Sequence, residues 1–172
     1  MNKLAENIRL GILGAIATVF GILSISFTSL PAYFENGRDD MSIIKMMMGD
    51  GRTEFSPLIM FGLIMVIVGV VTIAALTILH FTNKSTPIVT TILGVVGIVL
   101  MLAGIIILTC SIFILGLDKM NSELGFTQGA WGIKVGEILV PVMGLLAIGF
   151  TYPSAMIILH HKDVADKNAS KE

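Results

Sequence analysis

The residues able to do chemistry are few, and their spacing argues against most of what they could do. Met46, Met47 and Met48 form a run of thioethers, the donor that soft Cu(I) prefers. Consecutive residues of a helix point about 100° apart, so three in a row do not converge on one ion. Methionine is also a flexible filler of apolar space. His160 and His161 are adjacent and diverge for the same reason, and with His80 they read as a polar cap at one membrane face rather than as metal ligands. The single cysteine, Cys110, excludes an intrachain disulfide and is expected to be a small, buried, unreactive filler. Glu137 is the acid nearest a long apolar run, and Lys134, three residues earlier, is placed to pair with it. The sequence contains no HExxH, no GxSxG and no phosphate-binding loop. It therefore predicts no enzyme, no cofactor and no bound metal.

What must position these residues follows from composition. The chain has 172 residues, of which 55% are hydrophobic and only 13% charged. A soluble domain carries about 25% charge, so there is too little polar surface here to coat a globule. A net charge of -1 also excludes the basic surface that nucleic acid requires. The remaining class is an integral membrane protein.

Crossing ~30 Å of hydrocarbon takes roughly 20 apolar residues in a helix. Four stretches free of Asp, Glu, Lys and Arg qualify: 25 residues from Leu10 to Phe34, 29 from Phe55 to Asn83, 33 from Ser85 to Leu117 and 24 from Ile138 to His161. The expected spans are about 8–30, 57–81, 87–117 and 132–160, within one transmembrane domain covering 1–172. The first stretch is too long for the apolar core of a signal peptide and is expected to remain as a helix. Arg9, beside the first span, and Lys84, in the turn between the second and third, favour termini on the inside. That orientation makes 33–56 the first extracellular loop and 161–172 a cytoplasmic tail of a plasma-membrane protein.

The first loop carries Asp39-Asp40 before an apolar run and Gly49 after it, which are start and stop signals for a helix. Met41, Ile44 and Met48 would share one face of that short amphipathic helix, lying on the membrane or capping the bundle. Pro57 marks the first turn of the second span. Ahead of the fourth span, Gly125, Gly129, Gly132 and Gly136 recur every three or four residues and predict a helix starting outside the bilayer. Trp131 on another face would anchor it at the interface. Pro141 and Pro153 are expected to bend the fourth span.

The same spacing of small residues recurs in every span, with Gly14 and Gly21 in the first, Gly62 and Gly69 in the second, Gly97 and Gly104 in the third, and Gly129 and Gly136 leading into the fourth. In lipid the hydrophobic effect does not drive helices together, so close backbone approach at small residues must do so. The fold class that follows is an all-α membrane protein: four transmembrane helices in a compact left-handed bundle with glycine seams turned inward.

A long first outer loop, a tight inner turn and a shorter second outer loop resemble the layout of claudin-like four-span proteins, without that family's Trp-Gly-Leu-Trp motif or paired loop cysteines. The segment from Ile44 to Gly51 followed by Phe55-Ser56-Pro57, and the segment from Leu124-Gly125 to Gly136, look like small four-span membrane proteins of Gram-positive bacteria and their wall-less relatives. That resemblance implies a bacterial plasma membrane and supplies no site residues.

Coupled transport ordinarily places an ionisable residue inside the bundle. Here the spans hold hydroxyls such as Thr18, Thr72, Thr109 and Ser111, each able to bond its own helix. The expected function is contact: a non-catalytic accessory or scaffold subunit, whose partners are the bilayer and another membrane protein or a second copy. The alternatives are a small permease or pore component, or a protein conferring immunity to a membrane-active peptide.

Overall fold

The computed structural model describes residues 3–35, 41–49, 55–114 and 131–156. The elements in chain order are α1 (Lys3–Phe27), β1 (Pro31–Glu35), β2 (Met41–Ser42), α2 (Ile43–Met48), α3 (Pro57–Phe81), α4 (Pro87–Thr109), α5 (Ser111–Ile114), β3 (Trp131–Ile133) and α6 (Val135–Ala155). Four of these, α1, α3, α4 and α6, are long and apolar enough to cross a membrane. Each packs on two of the others, in the cyclic order α1, α3, α4, α6. The result is a four-helix bundle, and the protein is a multi-pass membrane protein.

The helix ends follow local chemistry. Ser56 caps α3 by accepting from the Ile59 N–H, and Thr86 caps α4 by accepting from the Val89 N–H, each followed by a proline at the first helical position. Asn83, in the turn joining α3 to α4, has a φ of 54°, a left-handed conformation that asparagine tolerates. Glycines then set the interhelical distances. Across α3 and α4, a Cβ on Gly104 would meet the Gly62 carbonyl oxygen at 2.6 Å, and one on Gly69 would meet the Gly97 carbonyl oxygen at 3.2 Å. Between α1 and α6, Phe20 and Phe150 stack with ring centroids 5.7 Å apart.

One end of the bundle carries a feature the periodicities do not predict. β1 is the middle strand of a three-stranded antiparallel sheet in the order β2-β1-β3, with Tyr33 opposite both Met41 and Ile133. The register slips between Pro31 and Tyr33. Residues 131–133 are thus extended, where the glycine spacing predicted helix. Gly132 lies opposite Phe34 in the sheet, α6 begins only at Val135, and Gly125 and Gly129 fall outside the described residues. The physical reason is that β1 offers a row of backbone partners that an isolated helical turn of glycines cannot match.

The short helix also differs from its expected form. It starts at Ile43, because Ser42 rather than Asp39 or Asp40 caps it by accepting from the Lys45 N–H. Met41 belongs to β2 and is buried there, while the helix itself buries Ile43 and Met46 rather than Ile44 and Met48. These two side chains join the same core as Ile59, Val66, Ile105 and Val140. The helix is therefore a lid on the bundle. Met46 is 0% exposed and Met48 63%. Met46→Ala is accordingly expected to cost about 2 kcal/mol of stability, and Met48→Ala to leave thermal unfolding in detergent unchanged.

The third expected span is also interrupted. α4 ends at Thr109, Cys110 caps it with an N–H bonded to the Ile106 carbonyl, and α5 follows directly. Cys110 is half-buried at this break rather than buried in the middle of a helix.

Candidate functional site

Along α1 and α6 the buried positions run from polar through apolar to polar, while α3 and α4 carry buried polar side chains at one end only. In α1 the order is Asn7, then Ala17, then Ser24; in α6 it is Glu137, then Val140 and Ala147, then Thr151 and Ser154. α3 passes from Val66, Val70 and Ile73 to Thr77 and His80, and α4 from Thr90 to Met101, Ile105 and Leu108. Two polar clusters therefore sit at opposite ends of an apolar centre.

The first cluster lies at the end without the sheet. The Asn7 side-chain amide donates to the Asn83 side-chain oxygen at 3.0 Å, and the Ser85 hydroxyl donates to the Asn7 oxygen at 3.1 Å. The first turns of α1 thereby hold the tight α3–α4 turn in place. His80 lies inside this end, 1% exposed, and neither ring nitrogen has a hydrogen-bond partner among the described residues. It is a core residue, not the membrane-face cap expected from its position near the end of the span; His160 and His161 lie outside the described residues.

The second cluster lies beneath the sheet. Tyr33, on the middle strand, is 3% exposed, and Glu137, in the first turn of α6, is 6% exposed. Their side chains share a hydrogen bond, in which the phenol meets the carboxyl. The structure gives Glu137 a partner that spacing does not point to, Tyr33, more than a hundred residues earlier. Gly136 permits this approach, because a Cβ there would meet the Leu30 and Pro31 carbonyl oxygens at 2.7 and 2.9 Å. The Ala32 carbonyl then accepts from the Lys134 N–H at 2.7 Å, fastening β1 to the start of α6.

Ser111, at the start of α5, is fully buried beside Tyr33. The expectation is a bond to its own helix; in the structure the Ser111 hydroxyl lies against the Tyr33 phenol instead, and Glu137 Oε2 closes no hydrogen bond among the described residues. Deeper in, the Ser24 hydroxyl donates across to the Val140 carbonyl at 2.8 Å.

Burial first, and the Glu137 carboxyl second, hold the Tyr33 phenol above its ordinary range. The unfolded chain then loses that proton near pH 10 while the folded protein keeps it, so stability falls as pH rises beyond about 10. Tyr33→Phe is expected to flatten this alkaline loss. Thermal unfolding followed from about pH 8 to 11 checks it, and a Phe variant with the same alkaline slope as the parent would contradict it.

Of the small residues singled out by spacing, Gly14 faces Thr77, Gly21 faces Val70, Gly62 faces Ile107, Gly69 faces Met101, Gly97 faces Ile73, Gly104 faces Gly62 and Gly136 faces Leu30. Gly129 is outside the described residues, and Trp131 is placed by its backbone alone, opposite Glu35 in the sheet. Gly94, on the same seam of small residues as Gly97 and Gly104, backs onto Ala155, and spacing missed Gly144, which backs onto Ile105. Thr18 and Thr72 return their hydroxyls to the carbonyls of Gly14 and Val68, four residues earlier in their own helices.

No protein-family model matches the chain, and no curated protein or solved structure is significantly similar to it.

Proposed function

We propose that this chain is a non-catalytic membrane protein that works through protein–protein or helix–helix contacts, as an accessory or scaffold subunit of a bacterial plasma membrane. The observation that carries the reading is how the interior is filled. Ala17, Val70, Met101 and Ala147 occupy the middle of the bundle, with the close approaches at Gly21, Gly69, Gly97 and Gly144 around them. A pore or permease needs a polar path through that middle, and Thr18 and Thr72 are engaged with their own helices. What remains to meet a partner is the outside of the helices and the sheet-capped end.

In this reading both termini are cytoplasmic and the sheet end faces outward. Cysteines introduced at Asn121 and Ser170 are then labelled by an impermeant maleimide from outside and only after lysis, respectively. The reverse pattern would invert the orientation. Crosslinking in intact cells, followed by identification of what is joined, tests the function itself. Recovery of a discrete membrane partner or a dimer is the expected result. A monomer with no crosslinked product in cells, together with uptake of a small solute by proteoliposomes, would replace this reading with a permease.

A further inference from the structure

We propose that His80 is a proton switch for the end of the bundle opposite the sheet: on taking up a proton its ring leaves the core and frees the first turns of α1 from the α3–α4 turn. His80 lies in the last turn of α3 and is 1% exposed, and neither Nδ1 nor Nε2 has a hydrogen-bond partner among the described residues. A neutral imidazole leaves one donor and one acceptor unmet in such a place. A charged one brings two donors and a full charge to surroundings in which no described residue accepts from it, and that is far costlier. The closed packing therefore holds the neutral ring only.

The same stretch of chain holds α1 in place. The His80 carbonyl accepts from the Asn83 N–H at 3.2 Å, and the Asn83 side-chain oxygen accepts from the Asn7 amide at 3.0 Å. Asn7 in turn accepts from the Ser85 hydroxyl at 3.1 Å. On either side of His80, α1 lies close against α3: a Cβ on Gly11 would meet the Phe81 ring at 3.0 Å, and one on Gly14 would clash with the Thr77 hydroxyl. Turning the His80 ring outward moves the last turn of α3, which leads directly into Phe81 and Asn83, and so loosens both the packing and the hydrogen bonds that fasten α1.

The charged side chain that acts on His80 is Glu6, half-buried on α1 one residue before Asn7. α1 also carries Arg9 at this end, and the α3–α4 turn carries Lys84, both exposed. The adjoining ends of α4 and α6 hold uncharged hydroxyls, those of Thr90 and Thr91 and those of Thr151 and Ser154, and α6 adds the exposed Tyr152. A charged ring outside the core is favoured by the Glu6 carboxylate and by the end of α3, where the helix dipole favours a cation. A proton is thus a ligand of the open state and shifts the population toward it.

A histidine freed from the core titrates near pH 6.5, so between about pH 7.5 and about pH 5.5 the open state gains about tenfold over the closed one. The open and unfolded states bind the extra proton, so the closed state loses ground as the pH falls. The test uses the full chain in nanodiscs with Cys110→Ala as background. Maleimide labelling at Leu10→Cys, buried on α1, is divided by labelling at Ile8→Cys, exposed on the same helix, which removes the pH dependence of thiol reactivity itself. That ratio is expected to rise about tenfold at the lower pH, and the melting temperature to fall by about 4 °C. With His80→Leu, which keeps every other titratable group, both changes disappear. A ratio that stays flat in the histidine-bearing chain overturns the proposal. A rise that survives His80→Leu assigns the effect to another group and also overturns it. An acid loss of melting temperature that His80→Leu removes, with no rise in the ratio, makes His80 an acid-labile core residue without a switch and overturns it too. Should His80→Leu fail to fold, His80→Gln, uncharged at both pH values, takes its place, and a ratio that still rises rejects the switch.

Discussion

Gly104→Leu is expected to cost about 3 kcal/mol or more and to leave little folded protein after extraction, because overpacking of this kind forces backbone to move. A Cβ at this position would stand 2.6 Å from the Gly62 carbonyl oxygen and 2.9 Å from the Val66 nitrogen. Both are main-chain atoms of α3, so no rotamer change relieves the clash. The helices must separate, and with them the reciprocal approach of Gly69 and Gly97 seven residues along. The comparison variant is Gly149→Leu. A Cβ on Gly149 meets nothing within 4 Å, and that position faces outward. Unfolding by a graded denaturing detergent separates the two: Gly104→Leu shifts the transition strongly and Gly149→Leu does not. If both variants unfold together with the parent, the glycine seam between α3 and α4 does not set the bundle's stability.

The second large effect is expected at Gly136→Val, again about 3 kcal/mol by the cost of overpacking against backbone, but with a different signature. The added side chain would meet the Leu30 and Pro31 carbonyls and push β1 off the start of α6. The four spans keep their crossings; the sheet, the Lys134 N–H bond to Ala32 and the Tyr33–Glu137 contact do not. Amide exchange should therefore quicken in β1, β2 and β3 while the centres of α3 and α4 stay protected. Uniform acceleration across all the helices would mean instead that the sheet and the bundle unfold as one.

How far the sequence shows these features depends on the range of the interaction. The four spans are visible because each is a local property, a run of uncharged residues longer than a bilayer is thick. The α3–α4 contacts are partly visible, since Gly62 with Gly69 and Gly97 with Gly104 each repeat at seven. The sheet is not. β1, β2 and β3 have five, two and three residues, too short for an alternating pattern, and Tyr33 faces Ile133, 100 residues further along the chain. The lid helix was placed correctly in the loop but turned to the wrong face, because Ser42 takes the cap and brings Ile43 and Met46 inward. The polar site fails for a related reason. Glu137 stands out as an acid beside hydrocarbon, yet its partner comes from a strand whose existence only the folded chain reveals.

Chain order gives the middle position of β1 one more meaning. β1 and β2 leave the ribosome with the first third of the protein, whereas β3 is made only just before α6. Until then the far edge of β1 has no strand to pair with, and Tyr33 has no carboxyl to meet. A chain that stalls before α6 inserts must display an open strand edge and a bare phenol at the membrane surface. Completion closes both at once. The sheet is thus closed only when α6 and the strand before it are in place.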